Sequence, residues 1–241
     1  MKLKLIDVKS EANDTKSFVF EPEKEISWLP GQYFYFTLPS LSYPDPKGAT
    51  RHFTIYLSPT EGKNIGFTTR LRSTSGYKQS ANMLKPGSII EGEGPEGTFI
   101  LDEHEKGNHV LLAGGIGITP FRCYLKYNID KKLTNSNLHL IYANSTPQEI
   151  AFRKDLESWP KTNNNITVDM TVTKPDKSWK GLTGRIDEKM ISILLDSWKL
   201  DVRNTTFWVC GPSPMVDAME KILGSINIPS GKVRSEKFTG Y

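Results

Sequence analysis

The chain has 241 residues, 37% of them hydrophobic and 24% charged, with a formal net charge of +4. That length exceeds an ordinary single domain and predicts two, each able to bury its own core. The charge is spread along the chain without a dense basic run, which argues against nucleic acid as a partner. Two cysteines, Cys123 and Cys210, are too few for a disulfide framework, a structural zinc site or a protein-held iron–sulfur cluster.

Met1 to Val8 alternates like a strand and lacks the apolar centre of a signal peptide, and no stretch is long enough to cross a bilayer, so a cytoplasmic location is expected. Short alternating segments predict strands at 2–8, 17–21, 33–38, 52–57, 66–71, 88–93 and 98–101, with one short helix at 77–84. Chain reversals are expected at Pro30-Gly31, Pro44-Asp-Pro46, Pro86-Gly87 and Gly94-Pro95-Glu96-Gly97. This is the pattern of a small antiparallel barrel or sandwich. After a polar linker at 102–108 the pattern changes to strands at 110–113, 138–142, 167–172, 206–210 and 233–236, alternating with helices at 120–127, 148–159, 187–195 and 214–223. The second half therefore reads as a doubly wound α/β domain.

The run His109-Val-Leu-Leu-Ala-Gly-Gly-Ile-Gly-Ile-Thr-Pro120 is a buried strand entering a glycine turn. Gly115 and Gly117 would let the backbone approach a phosphate at the start of the next helix, where Pro120 lacks only an N–H that a first turn does not use. Glycine turns of this kind also serve ordinary strand-to-helix packing, so the neighbouring motifs decide. The four histidines, His52, His104, His109 and His139, show no ligand spacing, so no metal is expected. Trp159, Trp179, Trp198 and Trp208 read as core or edge packing of the second half.

Pro30-Gly-Gln-Tyr33, Arg51-His-Phe-Thr54 and Ser75-Gly-Tyr-Lys78 in the first half, and Gly114-Gly-Ile-Gly-Ile-Thr-Pro120 and Cys210-Gly-Pro212 in the second, occur in the order of a known two-domain fold. With the ending Ser235-Glu-Lys-Phe-Thr-Gly-Tyr241, the chain resembles the ferredoxin–NADP reductase family of flavoproteins over essentially its whole length. The resemblance implies an antiparallel Greek-key β-barrel binding FAD at 1–104. A doubly wound parallel-sheet domain binding NADH or NADPH follows at 105–241, its tail returning to the flavin.

It further implies that Arg51 forks onto the flavin pyrophosphate, that His52 and Phe53 lie along the flavin or its ribityl chain, and that Thr54 donates toward flavin N5. Ser75, Tyr77, Lys78 and Gln79 would cradle the pyrophosphate with backbone amides, with Thr69 and Arg70 as candidates for the same surface. Taken alone, Arg51 to Thr54 is a strand with an exposed Arg, and Ser75 to Lys78 is an ordinary turn entering a helix. Gly115, Gly117, Thr119 and Pro120 would meet the nicotinamide cofactor, and Cys210, Gly211 and Pro212 would end the strand beside the nicotinamide, the Cys210 thiol serving as packing. Glu236 and Phe238 match the family's C-terminal glutamate and flavin-covering aromatic, with Phe238 as a gate and Glu236 as a carboxamide anchor or proton relay through Thr54; Tyr241 would lie toward the adenine.

Tyr142-Ala-Asn-Ser145 shows neither an acid for a ribose 2′-hydroxyl nor the arginine that many relatives carry for a 2′-phosphate. Ser145, Arg153, Lys174 and Arg185 could together receive that phosphate, a slight lean to NADPH. The function so implied is hydride transfer between nicotinamide and flavin N5, with electrons passed to a separate acceptor: ferredoxin, flavodoxin, an oxygenase component, or a small quinone or metal complex. The alternative is a non-catalytic or electron-relay flavoprotein subunit of a larger complex. An NAD-only alcohol-type dehydrogenase is disfavoured by the β-rich first half.

Overall fold

The computed structural model describes residues 1–71 and 73–239. The first half forms β1 (Lys2–Ala12), β2 (Thr15–Pro22), β3 (Tyr33–Thr37), β4 (Thr50–Thr54), β5 (Ile65–Arg70), helix α1 (Gly76–Asn82) and β6 (Ile89–Glu96). These make a six-stranded antiparallel sheet in the order β4-β3-β6-β1-β2-β5. The Tyr56 N–H, just after β4, donates to the Gly66 carbonyl at 3.2 Å and draws the two ends of the sheet together. The strands alternate inside and out: Leu3 and Leu5 are wholly buried between exposed Lys2, Lys4 and Ile6, and they share the interior with Phe18, Phe20, Phe34, Phe36 and Phe67.

The second half contains β7 (Gly107–Gly114), α2 (Ile118–Lys131), β8 (Ser136–Asn144), α3 (Arg153–Ser158), β9 (Ile166–Val172), β10 (Leu182–Thr183), α4 (Glu188–Trp198), β11 (Thr205–Pro212), α5 (Ser213–Ser225) and β12 (Val233–Phe238). All its strands pair in parallel, in the order β10-β9-β8-β7-β11-β12. The two faces are covered by different helices. Leu111, Ala113 and Leu140 pack with Phe121, Tyr124 and Leu156 of α2 and α3, whereas Val110, Leu112 and Val209 pack with Leu194, Val216 and Met219 of α4 and α5. The strand order reverses between β7 and β11, which is where open parallel sheets place ligands.

The halves share one core. Val19, Tyr56, Phe99 and Leu101 of the first half join the α2-side cluster of the second. Four sequence expectations change here. Residues 98–101 form no strand, because Phe99 and Leu101 point their apolar side chains across the boundary and the Tyr124 hydroxyl takes the Phe99 carbonyl. Gly94-Pro95-Glu96 belongs to β6 instead of a reversal, with Glu96 opposite Tyr33. The helix expected at 148–159 shrinks to α3, because Phe152 before it sits at φ +57° and breaks the path. The edge strand β10 was not foreseen, being two residues long.

Gly31 holds this boundary together. At φ +96° its absent side chain admits the Phe99 carbonyl, which a Cβ would meet at 2.0 Å.

Candidate active site

A cavity of about 240 Å³ opens between the halves. β4 supplies Arg51, His52, Phe53 and Thr54; β5 supplies Thr68 and Thr69; α1 supplies Lys78. Ile116 enters from the β7–α2 turn, Thr119 from the first turn of α2, and Glu236 and Phe238 from β12. The sequence candidates Arg51 to Thr54, Thr69, Lys78, Thr119, Glu236 and Phe238 thus converge from five elements on one cleft. Thr54, Thr69 and Thr119 are nearly closed off from solvent at 5%, 2% and 2% exposure, and the Thr119 hydroxyl donates to the Ile116 carbonyl at 3.1 Å.

β4 positions its motif by register, with Tyr33 opposite Thr54 and Phe36 opposite Arg51. Phe53 stacks on Phe67 with ring centroids 4.4 Å apart, anchoring the strand to the barrel core. Tyr77 is fully buried, donates its hydroxyl to the Phe36 carbonyl at 2.9 Å and carries the Arg51 guanidinium 5.2 Å above its ring. Its role is therefore support. Ser75 caps α1 by accepting from the Lys78 N–H at 3.3 Å, the Gln79 N–H donates to the Ser75 carbonyl at 3.0 Å, and the Gln79 side chain bonds the Ser73 carbonyl. The α1 amides expected to cradle phosphate are already engaged within the chain.

Sequence reasoning missed Asp45, which it took for a turn residue. Its carboxylate accepts from Arg51 Nη2 at 2.5 Å and from the Tyr77 N–H at 2.9 Å. Burial raises the acid, but the N–H groups of Tyr77 and Lys47 and the Arg51 guanidinium outweigh it and hold the carboxyl at about 2. Glu236 is the opposite case: burial pushes it up to about 7, and its Oε2 has no hydrogen-bond partner among the described residues.

Cys210 pairs in register with Glu236 and is wholly buried, lining neither this cleft nor the next cavity. Burial and the neighbouring Glu236 raise its thiol well above the ordinary range, so it is neutral packing. A Cβ on Gly117 would meet the Cys210 carbonyl at 2.3 Å, which explains the glycine there. Pro120 sits buried in the first turn of α2 and Gly211 bends the end of β11 at φ +156°. Tyr241 lies outside the described residues.

A second cavity of about 480 Å³ lies over the carboxyl ends of the parallel strands. Gly114 and Gly115 line it at the end of β7, Asn144 and Ser145 at the end of β8, and Pro212 at the end of β11, around the switch point between β7 and β11. Ser145 and Arg185 share it, but Arg153 does not: it pairs with Glu157 at 2.7 Å and lies 5.3 Å over Trp179 in a separate groove. Arg70 reaches this cavity from the barrel and pairs with Glu149 at 2.9 Å. Glu149 was missed because it stands beyond the end of β8, past the position where a ribose-binding acid is sought. No group of His, Cys, Asp or Glu suited to a metal occurs among the described residues, and no described helix is long and apolar enough to cross a membrane.

A barrel-like antiparallel sheet is thus joined to a doubly wound sheet, with a cleft between them and a glycine-lined cavity at the switch point. Residues 111–221 match the family described as the oxidoreductase NAD-binding domain. That match lies within the second half, and the fold of the whole chain is shared with solved reductases. It is 30% identical over 191 residues to an NADH-cytochrome b5 reductase 1 of Cryptococcus neoformans, covering 77% of this chain and 60% of that protein. It is 28% identical over 218 residues to the anthranilate 1,2-dioxygenase electron transfer component of Acinetobacter baylyi, covering 89% and 59%. A ferredoxin NADP+ reductase from Neisseria gonorrhoeae, solved with FAD and NADP, superposes with a TM-score of 0.81 at 18% identity over 98% of each chain. The chain spans between about half and two thirds of the length of the first curated relatives it matches.

Proposed function

We propose that the chain is a flavin-dependent reductase module that takes a hydride from NADH or NADPH and passes electrons to a separate carrier. The observation that carries this is the cleft itself, where Thr54 of the barrel, Thr119 of α2 and Glu236 and Phe238 of β12 meet around one space. The lining suits FAD: cations at Lys47, Arg51 and Lys78 match a diphosphate, Tyr33, Phe53, Ile116 and Phe238 match a flat ring system, and threonine hydroxyls match its polar edge. Bound there, a flavin supplies acceptance of a hydride at N5 and release of electrons to the next carrier.

The chain's own residues supply alignment. Arg51 anchors the phosphate-bearing end, and Thr54 presents a hydroxyl to the reacting edge. The glycine turn at Gly114 to Gly117 receives the dinucleotide's pyrophosphate at the start of α2. Phe238 would cover the flavin on the side the nicotinamide takes and so limit water in the site. Glu236, raised toward neutrality by burial, is partly protonated near pH 7 and can hold a proton at Oε2.

The relatives named as an electron transfer component and a cytochrome b5 reductase support a protein-borne acceptor. The reading divides the chain into a flavin domain at 1–104 and a nicotinamide domain at 105–241.

The test is anaerobic stopped-flow mixing of the purified, flavin-loaded protein with NADH and NADPH separately. Rapid bleaching of the flavin band is expected with at least one. A bound flavin that neither cofactor reduces would leave only the relay-subunit alternative.

A further inference from the structure

Asp45 spends every acceptor position it has on one corner of the cleft. Oδ1 accepts from Arg51 Nη2 at 2.5 Å and from the Lys47 N–H at 2.9 Å; Oδ2 accepts from the Tyr77 N–H at 2.9 Å and from Ser75 Oγ at 3.2 Å. Its side chain is only 5% exposed, although it belongs to a surface loop. Arg51 is constrained further by its Nη1, which donates to the carbonyls of Lys47, Gly48 and Thr50 at 2.8, 3.0 and 2.6 Å. Of the five guanidinium hydrogens, this leaves the Nε hydrogen and one on Nη2.

We infer that Asp45 is the positioning residue of the flavin-phosphate site. It ties Arg51, the loop before β4 and the start of α1 to one carboxylate. The phosphate is then received by the open edge of Arg51 and the ammonium group of Lys47. The Tyr77 and Lys78 N–H groups already bond Asp45 and Ser75, and the exposed Lys47 lines the cleft beside Arg51. A fixed anion behind the arginine also holds its charge in place while a second anion arrives, sparing the ordering of a long side chain on binding. This inference rests on the flavin reading above and goes beyond it in naming the residue that sets the phosphate geometry.

Asparagine cannot replace Asp45. Each oxygen accepts from at least one backbone N–H, of Lys47 on one side and of Tyr77 on the other, so an amide NH2 on either side faces an N–H it cannot accept from. The experiment strips flavin from the full chain and titrates FAD, FMN and riboflavin by fluorescence quenching into wild type, Asp45→Asn and Lys47→Gln. Asp45→Asn is expected to weaken FAD and FMN by about tenfold or more and riboflavin, which has no phosphate, by less than about twofold.

Lys47 is exposed and makes no core contact, so Lys47→Gln tests the site independently of folding. It is expected to weaken FAD by about threefold and to flatten its salt dependence. Equal weakening of all three flavins in Asp45→Asn would make Asp45 merely structural. Tighter FAD would make it a competitor for the phosphate, and an unaltered Lys47→Gln would return the phosphate to other donors. Each result overturns the inference while leaving a wild type that binds FAD. A wild type that quenches none of the three removes the flavin reading itself.

Discussion

Asp45 lies behind the Arg51 corner of the cleft and Glu236 forms part of its β12 wall, so one site contains two carboxyl groups in opposite surroundings. Asp45 is met by four donors and stays charged, held at about 2, whereas Glu236 has only burial acting on it and rises to about 7. The difference separates a corner built to hold a fixed charge from a wall built to change one. Their linkage to stability has opposite signs. The depressed Asp45 stabilises the fold above the ordinary carboxyl value of 3.8, and that contribution is lost as pH falls toward 2. The raised Glu236 is accommodated best below its ordinary 4.5, and that advantage is lost as pH rises through 7.

Both groups matter only if the two halves hold the cleft at fixed width, and the largest expected effect comes from breaking that frame. Arg122 of α2 is 8% exposed, forks onto Glu61 of the barrel half, donates to the Tyr56 carbonyl at 3.3 Å and lies 5.4 Å over the Tyr56 ring. Arg122→Ala leaves Glu61 without its cation and opens the shared core, and should cost about 3 kcal/mol by chemical denaturation. A loss under about 1 kcal/mol would mean the interface is carried by Phe99, Leu101 and Tyr124 alone.

Arg51→Ala attacks the charged corner directly. It removes a charge-assisted contact to flavin phosphate and leaves Asp45 buried without its cation, so FAD affinity should fall by about 100-fold, read as flavin lost on gel filtration. Full flavin occupancy in that variant would detach Arg51 from the phosphate.

How far the sequence foretold this site depends on whether each residue acts through a local pattern or through a distant partner. The alternation of Leu3 and Leu5, the buried run at Val110 to Ala113 and the glycine turn after it carry their own period, so the two sheets could be read directly. The motif residues Arg51, Thr54, Thr119 and Glu236 were legible by resemblance, and they converge. Asp45 was not legible: Pro-Asp-Pro looks the same whether its carboxylate faces water or the start of a helix 30 residues away. Arg122 and Glu149 escaped for a similar reason, since their partners Glu61 and Arg70 lie in the other half of the chain. Phe99 and Leu101 misled outright, because an alternating pattern does not say whether the buried side meets a neighbouring strand or another domain.

Glu236→Gln sharpens the contrast between the two carboxyls by removing only the one that titrates. Wild type binds more protons folded than unfolded between about pH 4.5 and 7, so its stability falls with rising pH in that window. The glutamine variant lacks this term. It should gain on wild type by on the order of 2 kcal/mol between pH 5 and pH 8, measured by denaturant titration at each pH. Parallel stability curves for the two proteins would show Glu236 to be solvated and remove its proton-holding role.

The smallest effect is expected beneath that wall. Cys210 sits in register with Glu236 and its thiol is neutral and wholly enclosed, so it has no way to act as a nucleophile. Cys210→Ala should lose about 1 kcal/mol of stability from the vacated volume and change the rate of flavin reduction by less than about threefold. Native protein should resist iodoacetamide at this position, because a thiolate is what that reagent attacks. Rapid alkylation of Cys210 in the folded state, or a loss of reduction far beyond threefold with flavin still bound, would mean that the thiol reaches the reacting rings and that the wall of the cleft opens in solution.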